Sequence, residues 1–280
     1  MRDDGTPVFS VLGDLHGQLV ATAIHTGHEV RADLAPLIVL DEVTRLREED
    51  PFTDRIGRHL PIRVVVHRSR FEVDLNRDRE SSVYREPDDC WGLDVWRDPP
   101  LGEEHVQQSR RIHDAFYEEL GRLLDVVAAR GPFVLYDVHS YNHRREGADG
   151  PDEPWQDNPE VNVGTGSLDR EHFAPVVAAF VTAMGSREVQ GRALDVRENV
   201  KFKGAHLARW VHERYPGVGC ALALEFKKTF MDEWTGELDE GRVDSLAEAL
   251  AGTVDPVLAA LATLTPSGSG EGPVDADRHR

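Results

Sequence analysis

An α/β fold, with helices covering both faces of a sheet, is the architecture that the sequence predicts. Short apolar runs rich in β-branched residues alternate along the chain with longer amphipathic segments, and this alternation is typical of such folds. The predicted strands are four apolar runs, residues 7–12, 62–67, 133–137 and 219–225.

Three predicted helices account for the clearest amphipathic segments. The first covers residues 104–130, where apolar side chains recur every three or four positions, and the second covers 170–184 with the same spacing. The third is predicted to begin near Asp244, a residue type that caps helices well, and Pro256 is expected to kink or divide it.

Length and charge exclude several classes of protein. The chain has 280 residues, of which 32 are Lys or Arg and 51 are Asp or Glu, so its net charge is −19. Such a surface repels phosphate groups, so we predict neither a nucleic acid nor an anionic membrane as a partner. No apolar run approaches the ~20 residues that span a bilayer, and the N-terminus lacks the apolar core of a signal peptide. We therefore expect a cytoplasmic protein.

A single catalytic domain is predicted over residues 1–265, because no break in composition divides the chain. The segment 145–160 is polar and rich in Pro and Gly, which predicts a long surface loop, and such loops are often functional. The tail, residues 266–280, has a composition typical of disorder. These features do not predict an oligomeric state.

The first candidate site segment is AIHTGHEV, residues 23–30. An apolar run ends there at His25, and His28 follows three residues later, after a glycine. A turn at the glycine can bring both imidazoles to one metal ion. The alternative interpretation is a pair of ordinary loop histidines.

A second candidate segment is FVLYDVHSYN, residues 133–142, in which a buried-strand pattern runs into Asp137 and His139. Ligands bind beyond the carboxyl ends of strands in α/β sheets, so these two side chains are well placed for a site. Asp137 can orient an imidazole there. A hydrogen-bonded Asp-His pair in a loop would have the same sequence.

A third segment, RFEVDLNR, combines Arg70 and Arg77 with Asp74 and Asn76. Arginine binds carboxylates through two parallel hydrogen bonds, and an asparagine amide can complete the grip. Asp74 can also accept a hydrogen bond from a metal-binding histidine. The alternative for this segment is a surface network of salt bridges.

The fourth signal is Glu225, which ends the apolar run of the last predicted strand. A carboxylate at a strand end beside a metal site is suited to accept a proton from the water that the metal activates. Histidines from two strand ends, a carboxylate from a third and an Arg-Asn clamp together predict a zinc hydrolase. Its substrate would be a small molecule that carries a carboxylate, and one zinc ion would be bound per chain.

Five motifs occur within about residues 20–240: IHTGHEV, RFEVDLNR, LYDVHS, NVKFKGAH and EFKKTFMDE. In these motifs and in their order along the chain, the sequence resembles the N-formylglutamate amidohydrolase family. That family is related in fold to zinc carboxypeptidases and to aspartoacylase-type deacylases. The resemblance therefore implies a three-layer α/β/α fold with a central mixed sheet, as in zinc exopeptidases. It also implies zinc-dependent hydrolysis of a C–N amide bond in a small N-acyl amino acid such as N-formylglutamate.

The resemblance implies a role for each candidate residue. His25 and His139 would bind zinc, and Glu225 would be the general base that passes a proton from the activated water to the leaving nitrogen. Arg70 would polarise the scissile carbonyl and stabilise its oxyanion. The remaining implied roles are carboxylate binding by Asn76 and Arg77, further substrate contacts by Lys203 and His206, and support of the zinc-binding histidines by Asp74 and Asp137.

The third zinc ligand departs from the pattern of the wider group. Where carboxypeptidase-like sequences have a glutamate three residues after the first histidine, this chain has His28, with Glu29 one position later. We predict His28 as the ligand, because the spacing is kept and imidazole binds zinc well. Glu29 is the alternative.

Three other functions fit parts of the sequence. The pentapeptide GDLHG, residues 13–17, resembles a metal-binding element of binuclear metallophosphoesterases, but the other elements of that family are missing from the sequence. A zinc carboxypeptidase, or a deacylase for another amino-acid derivative, would share the zinc, the base and the clamp. A non-catalytic binding protein with a decayed site would contain no stoichiometric zinc.

Overall fold

The structure of the protein is a computed structural model that describes residues 7–264. The predicted disordered tail, residues 266–280, lies outside this range. The strands of the described part are β1 (Phe9–Gly13), β2 (Leu19–Ala23), β3 (Ile62–Val66), β4 (Phe133–Tyr141), β5 (Val161–Gly164), β6 (Glu188–Val189), β7 (Arg192–Ala193), β8 (Val196–Glu198) and β9 (Gly219–Lys227). The α-helices are α1 (Glu42–Glu48), α2 (Thr53–Ile56), α3 (Glu103–Ala128), α4 (Ala174–Gly185), α5 (His206–Arg214), α6 (Glu240–Ala251) and α7 (Val254–Leu261).

Seven of these strands form one mixed sheet, in the order β1-β3-β2-β4-β9-β5-β8. Its centre is parallel, because β2 pairs in parallel with β3 and β4, and β4 pairs in parallel with β9. The antiparallel pairs lie to either side: β1 with β3, and β5 with β9. The predicted mixed sheet is confirmed.

Helices cover both faces of the sheet, so the side chains of β4 are buried whichever face they point to. Tyr136 packs in a core with Phe180 of α4 and Leu250 of α6, whereas the adjacent Leu135 packs in a second core with Phe116 of α3 and Val211 of α5. Successive side chains of a strand point to opposite faces, so a strand buried on both faces is apolar throughout. The three-layer α/β/α architecture is confirmed.

The predicted helices are present with small shifts at their ends. The largest shift is in the third, which divides into α6 and α7. The side chain of Asp239, and not that of Asp244, caps α6 by accepting a hydrogen bond from Arg242 N at 2.9 Å. Pro256 lies in the first turn of α7, where its missing N–H costs no helical hydrogen bond. Short strands such as β8 have too few residues for a periodic pattern.

The parallel pairing brings the carboxyl ends of β2, β4 and β9 to one edge of the sheet. His25 follows β2 by two residues, and His139 of β4 lies directly beside Glu225 of β9 in the register. By contrast, Asp14 and His16 of the GDLHG pentapeptide lie in an exposed turn between β1 and β2. The topology therefore assembles the candidate site at the edge where α/β sheets bind ligands.

Gly27 provides the first test of this arrangement. A Cβ atom at this position would lie 2.2 Å from the backbone carbonyl carbon of His67, because the segment after β2 passes closely against the end of β3. We expect Gly27→Ala to lower the free energy of unfolding by at least ~1–3 kcal/mol, the usual cost of overpacking. Urea unfolding measures this change as a lower midpoint.

The matched control is Gly57→Ala, whose added Cβ would have no contact closer than 3.6 Å. It is expected to leave the urea midpoint nearly unchanged. Equal midpoints for the two variants would show that the close approach at Gly27 does not constrain the chain.

Candidate metal centre and active site

Two buried imidazoles and one buried carboxylate converge at this edge of the sheet. Nδ1 of His25 lies 3.3 Å from Oδ2 of Asp50, and Nδ1 of His139 lies 3.0 Å from the same oxygen. The three side chains are at most 4% exposed. Within residues 7–264, they form the one group of three or more His, Cys, Asp or Glu residues with metal-ligand spacing.

Asp50 reaches the cluster from the short connection between α1 and α2. Its backbone N–H donates to the carbonyl oxygen of His25 at 3.0 Å, which ties this connection to the end of β2. The hydroxyl of Ser140 donates to Oδ1 at 3.2 Å, so Oδ2 is the oxygen that faces both imidazoles. The cluster is thus built from three separate parts of the chain.

A second carboxylate orients each imidazole from behind. Nε2 of His25 lies 2.7 Å from Oδ1 of Asp74, and Nε2 of His139 lies 2.9 Å from Oδ2 of Asp137. Asp137 is itself held by the hydroxyl of Thr22, which donates at 2.8 Å. A carboxylate beside Nε2 of an imidazole favours a proton on that nitrogen. The other nitrogen, Nδ1, then remains free to bind a metal. Asp74 and Asp137 are the two residues for which the sequence predicts such supporting roles.

The carboxylates of Asp50 and Asp74 are ionised at neutral pH. Burial alone would raise the pKa of Asp50, but its interactions with His139 and His25 lower it well below the usual range. Burial also opposes ionisation of Asp74, whose pKa is nevertheless held well below its usual value by Arg70 and His25. The centre therefore combines imidazole nitrogens with permanent negative charge, a donor set suited to a divalent cation.

Two observations agree with a zinc ion at these donors. Ligand atoms around a tetrahedral zinc ion lie about 3.3–3.5 Å apart, given Zn–N and Zn–O bonds of about 2.0–2.2 Å. The distances of 3.3 and 3.0 Å to Asp50 are close to that value. In addition, Nδ1 of His25 is buried and has no hydrogen-bond partner among the described residues.

The third member of this cluster is Asp50, and the structure does not bring the predicted His28 or Glu29 into it. Nδ1 of His28 lies 2.5 Å from Oε2 of the buried Glu49, so its ring pairs with that carboxylate outside the cluster. Glu29 lines a different cavity, and its backbone pairs with that of Arg68. The close approach at Gly27 turns the chain here, so the spacing of three residues does not place both imidazoles on one centre.

Glu225 and the cluster line one cavity of about 170 Å³. Burial is the main cause that raises the pKa of Glu225 to about 8; the negative charges of Asp50 and Asp137 add to this effect, and His139 opposes it. A carboxyl group with such a pKa can bind and release a proton near neutrality, as general acid–base catalysis requires. The cavity is smaller than the ~300–1,000 Å³ typical of drug-sized ligands, so it suits a small molecule.

Arg70 and Asn76 also line this cavity. The guanidinium of Arg70 donates to Asp74 at 3.0 Å, to the hydroxyl of Tyr84 at 3.2 Å and to the carbonyl oxygen of Glu48 at 3.3 Å. These contacts fix its plane at the cavity wall. Oδ1 of Asn76 accepts from the backbone N–H of Leu207, which leaves its Nδ2 3.3 Å from His139.

The structure does not bring Arg77, Lys203 or His206 to the cavity wall. The guanidinium of Arg77 lies over the ring of Tyr84, 4.7 Å from its centroid, and its Nε is 3.5 Å from Asp74. Lys203 is exposed, and the ring of His206 packs against that of Tyr117. Arg77 is thus connected to the site only indirectly, through its contacts with Tyr84 and Asp74.

Several residues of the site carry no signal in the sequence. Asp50 belongs to an acidic run, EED, that resembles any solvated helix end. Trp91 and Arg145 lie on loops, and both line the cavity. Lys228 is 1% exposed, and its Nζ donates to the carbonyl oxygens of Arg47 and Glu49 at 2.5 and 2.6 Å. Lys228 thereby fixes the backbone immediately before Asp50.

Comparison with known proteins supports this description of the fold. A solved N-formylglutamate amidohydrolase from Ralstonia eutropha JMP134 aligns with a TM-score of 0.68 and 18% identity, over 90% of this chain and 96% of that one. A gene product of Agrobacterium tumefaciens aligns with a TM-score of 0.65 and 14% identity, over 93% and 98% of the two chains. Similarities at this level of identity show a shared fold.

A metallo-carboxypeptidase from Burkholderia cenocepacia is more distant, with a TM-score of 0.37 and 15% identity over 94% of this chain and 67% of that one. No curated protein matches the sequence.

The fold and the histidine–carboxylate cluster define an α/β protein with a candidate metal centre at the edge of its sheet. The model of the N-formylglutamate amidohydrolase family matches residues 17–231, which is most of the chain. The protein therefore belongs to the N-formylglutamate amidohydrolase family, and it is a hydrolase of that family. Among residues 7–264, no helix is long and apolar enough to cross a membrane.

Lys228→Met tests how the site is held together. The variant keeps the length of the side chain but leaves the carbonyl oxygens of Arg47 and Glu49 without their donor. We expect the free energy of unfolding to fall by about 1–3 kcal/mol for each buried acceptor left unpaired. Urea unfolding of the purified variant measures the loss.

Lys227→Met is the control, because this neighbouring lysine is half-buried and its side chain makes no hydrogen bond to another described residue. The control is expected to lose much less stability. If both variants unfolded at the same urea concentration, the two hydrogen bonds of Lys228 would not be what holds the segment before Asp50.

Proposed function

We propose that this protein hydrolyses the C–N amide bond of a small N-acyl amino acid that carries a carboxylate, with N-formylglutamate as the first candidate substrate, in a zinc-dependent reaction. One observation carries the proposal: the His25–Asp50–His139 cluster, Glu225 and Arg70 all line the same small cavity. Membership of the amidohydrolase family supports the reaction class.

His25 and His139, each through Nδ1, and Asp50, through Oδ2, are the residues that would hold the metal. A zinc ion with three protein ligands supplies a Lewis acid, which lowers the pKa of a water molecule and polarises a carbonyl group. Asp74 and Asp137 keep the two imidazoles in the orientation that this binding needs.

Glu225 is the residue that moves the proton. Its carboxyl group lines the cavity beside His139, and its raised pKa lets it take a proton from the attacking water and later release it to the leaving nitrogen. Return of the proton to the nitrogen makes the amine a good leaving group. Glu225 thus ends the cycle in the state in which it began.

Arg70 supplies positive charge where the carbonyl oxygen becomes negative. Its guanidinium is held by Asp74, Tyr84 and a backbone carbonyl, so it needs no reorganisation during the reaction. Preorganised donors of this kind stabilise an oxyanion more than mobile ones do. The small volume of the cavity favours an amino-acid-sized substrate over a peptide.

A deacylase or carboxypeptidase for another amino-acid derivative would use the same groups. A release assay across N-formyl, N-acetyl and dipeptide substrates, with metal analysis of the same preparation, separates these activities. Release of formate from N-formyl substrates alone supports the proposal. No turnover of any of these compounds would contradict it, and the absence of stoichiometric zinc as well would favour a non-catalytic binding protein.

The ligand set is tested by the zinc content of purified variants. We expect His139→Ala and Asp50→Asn to purify with little zinc, because each removes one of three ligands. His28→Gln, which keeps a hydrogen-bonding side chain beside Glu49, is expected to retain one zinc ion per chain. The opposite result, zinc lost from His28→Gln and kept by Asp50→Asn, would restore His28 as the third ligand.

Glu225→Gln separates catalysis from metal binding. We expect this variant to keep the zinc content of the wild type and to lose turnover by about 10²–10⁴-fold, because a general base typically contributes that much. Steady-state kinetics on the best substrate measures the loss. Glu48→Gln is the control, since it removes another carboxylate from the same cavity wall, and a comparable loss in both variants would argue against a specific role for Glu225.

A further inference from the structure

The positive charges of the cavity differ in how many of their donors are engaged. Three basic side chains line it: Arg70, Arg145 and Lys228. Arg70 donates to three protein acceptors, and Lys228 donates to two backbone carbonyls. Both of these cations are therefore held in place by protein acceptors.

Arg145 is the exception. Among residues 7–264 its side chain makes no hydrogen bond, and its nearest charged partner is Glu153, with 3.8 Å between Nε and Oε1. Glu153 is itself engaged, because its Oε2 accepts from Nζ of Lys201 at 2.5 Å. The guanidinium of Arg145 thus has its donors available at the cavity wall.

The backbone next to Arg145 is nevertheless fixed. The N–H groups of His143 and Arg144 both donate to the buried carboxylate of Glu233, the first at 2.6 Å and the second at 3.2 Å. The carbonyl oxygen of His143 also accepts from the N–H of Glu153 at 2.7 Å, which closes the start of the long loop. A free guanidinium on an anchored backbone is a favourable arrangement for binding a ligand, because only the side chain, and not the backbone, has to be ordered.

The acidic groups of the same wall do not compete for Arg145. Glu48 accepts from Nε of Arg47 at 3.1 Å and from Nδ2 of Asn142 at 3.4 Å. Asp50 faces the two imidazoles, and Glu225 lies beside His139. The carboxylate of a bound substrate is therefore the acceptor that can take two parallel hydrogen bonds from the guanidinium of Arg145.

We propose that Arg145 binds the side-chain carboxylate of the substrate, and that it selects N-acyl amino acids with an acidic side chain over those with a neutral one. This assignment rests on the proposed function. It replaces Arg77 in the clamp, because the guanidinium of Arg77 lies on Tyr84 and beside Asp74, away from the cavity wall. Arg145 is then the specificity-determining residue of the site.

Kinetics on a matched substrate pair tests the assignment. Arg145→Gln is expected to raise the KM for N-formylglutamate about ten- to hundredfold, as loss of a charge-assisted hydrogen bond predicts, with little change for N-formylglutamine. Arg145→Lys keeps the charge without the fork and should lie between the wild type and Arg145→Gln. Arg192→Gln is the control, since Arg192 is exposed on β7 and does not line this cavity.

Binding of non-hydrolysable probes tests the assignment without turnover. Calorimetry compares glutarate with its monoamide, which differ by one carboxylate, on the zinc-loaded wild type and on Arg145→Gln. We expect the wild type to prefer glutarate and the variant to bind both probes equally. If the wild type cleaved no N-acyl amino acid but showed this Arg145-dependent preference, the proposed function would fail and the binding role would stand.

The assignment is overturned if Arg145→Gln changes kinetics equally for N-formylglutamate and N-formylglutamine, or if the variant keeps the preference for glutarate. In that case the proposed hydrolase activity would be unaffected. Arg77→Gln would then be tested with the same substrates, and a selective effect there would return the clamp to Arg77.

Discussion

One carboxylate oxygen, Oδ2 of Asp50, lies between the Nδ1 atoms of two buried imidazoles. The rest of the site is arranged around this contact. Asp74 and Asp137 stand behind the imidazoles, and Lys228 holds the backbone that carries Asp50. Burial makes each of these polar groups costly without a partner, so the loss of any one of them weakens the whole arrangement.

This contact is possible because the centre of the sheet is parallel. Parallel strands deliver their carboxyl ends to the same edge, and the register places His139 of β4 beside Glu225 of β9. Two groups with different functions thereby become neighbours: one imidazole in the candidate metal centre and one carboxyl group whose pKa is raised by burial. The apolar strands do more than form the core, since their pairing sets the distance between these two functional side chains.

Three arginines in or near the site differ in how many of their hydrogen-bond donors the protein already uses. Arg70 donates to three protein acceptors and presents a fixed charge at the cavity wall. Arg77 lies against Tyr84 and Asp74 behind that wall. Arg145 has its donors available on an anchored loop. A protein with a net charge of −19 can still attract a small anion, because three basic side chains line its cavity and one of them, Arg145, has its donors available.

The sequence by itself determined the class of fold, the family and the residues that strands place at the edge of the sheet. Alternating apolar and amphipathic segments predicted the three layers, and His25, His139 and Glu225 follow or end apolar runs, so local pattern and strand pairing together locate them. Only the tertiary structure showed that Asp50 replaces His28 in the cluster and that Arg145, and not Arg77, lines the cavity. The physical reason is that these residues lie on connections without a repeating pattern, where the role of a charged side chain depends on which distant groups already occupy its hydrogen bonds.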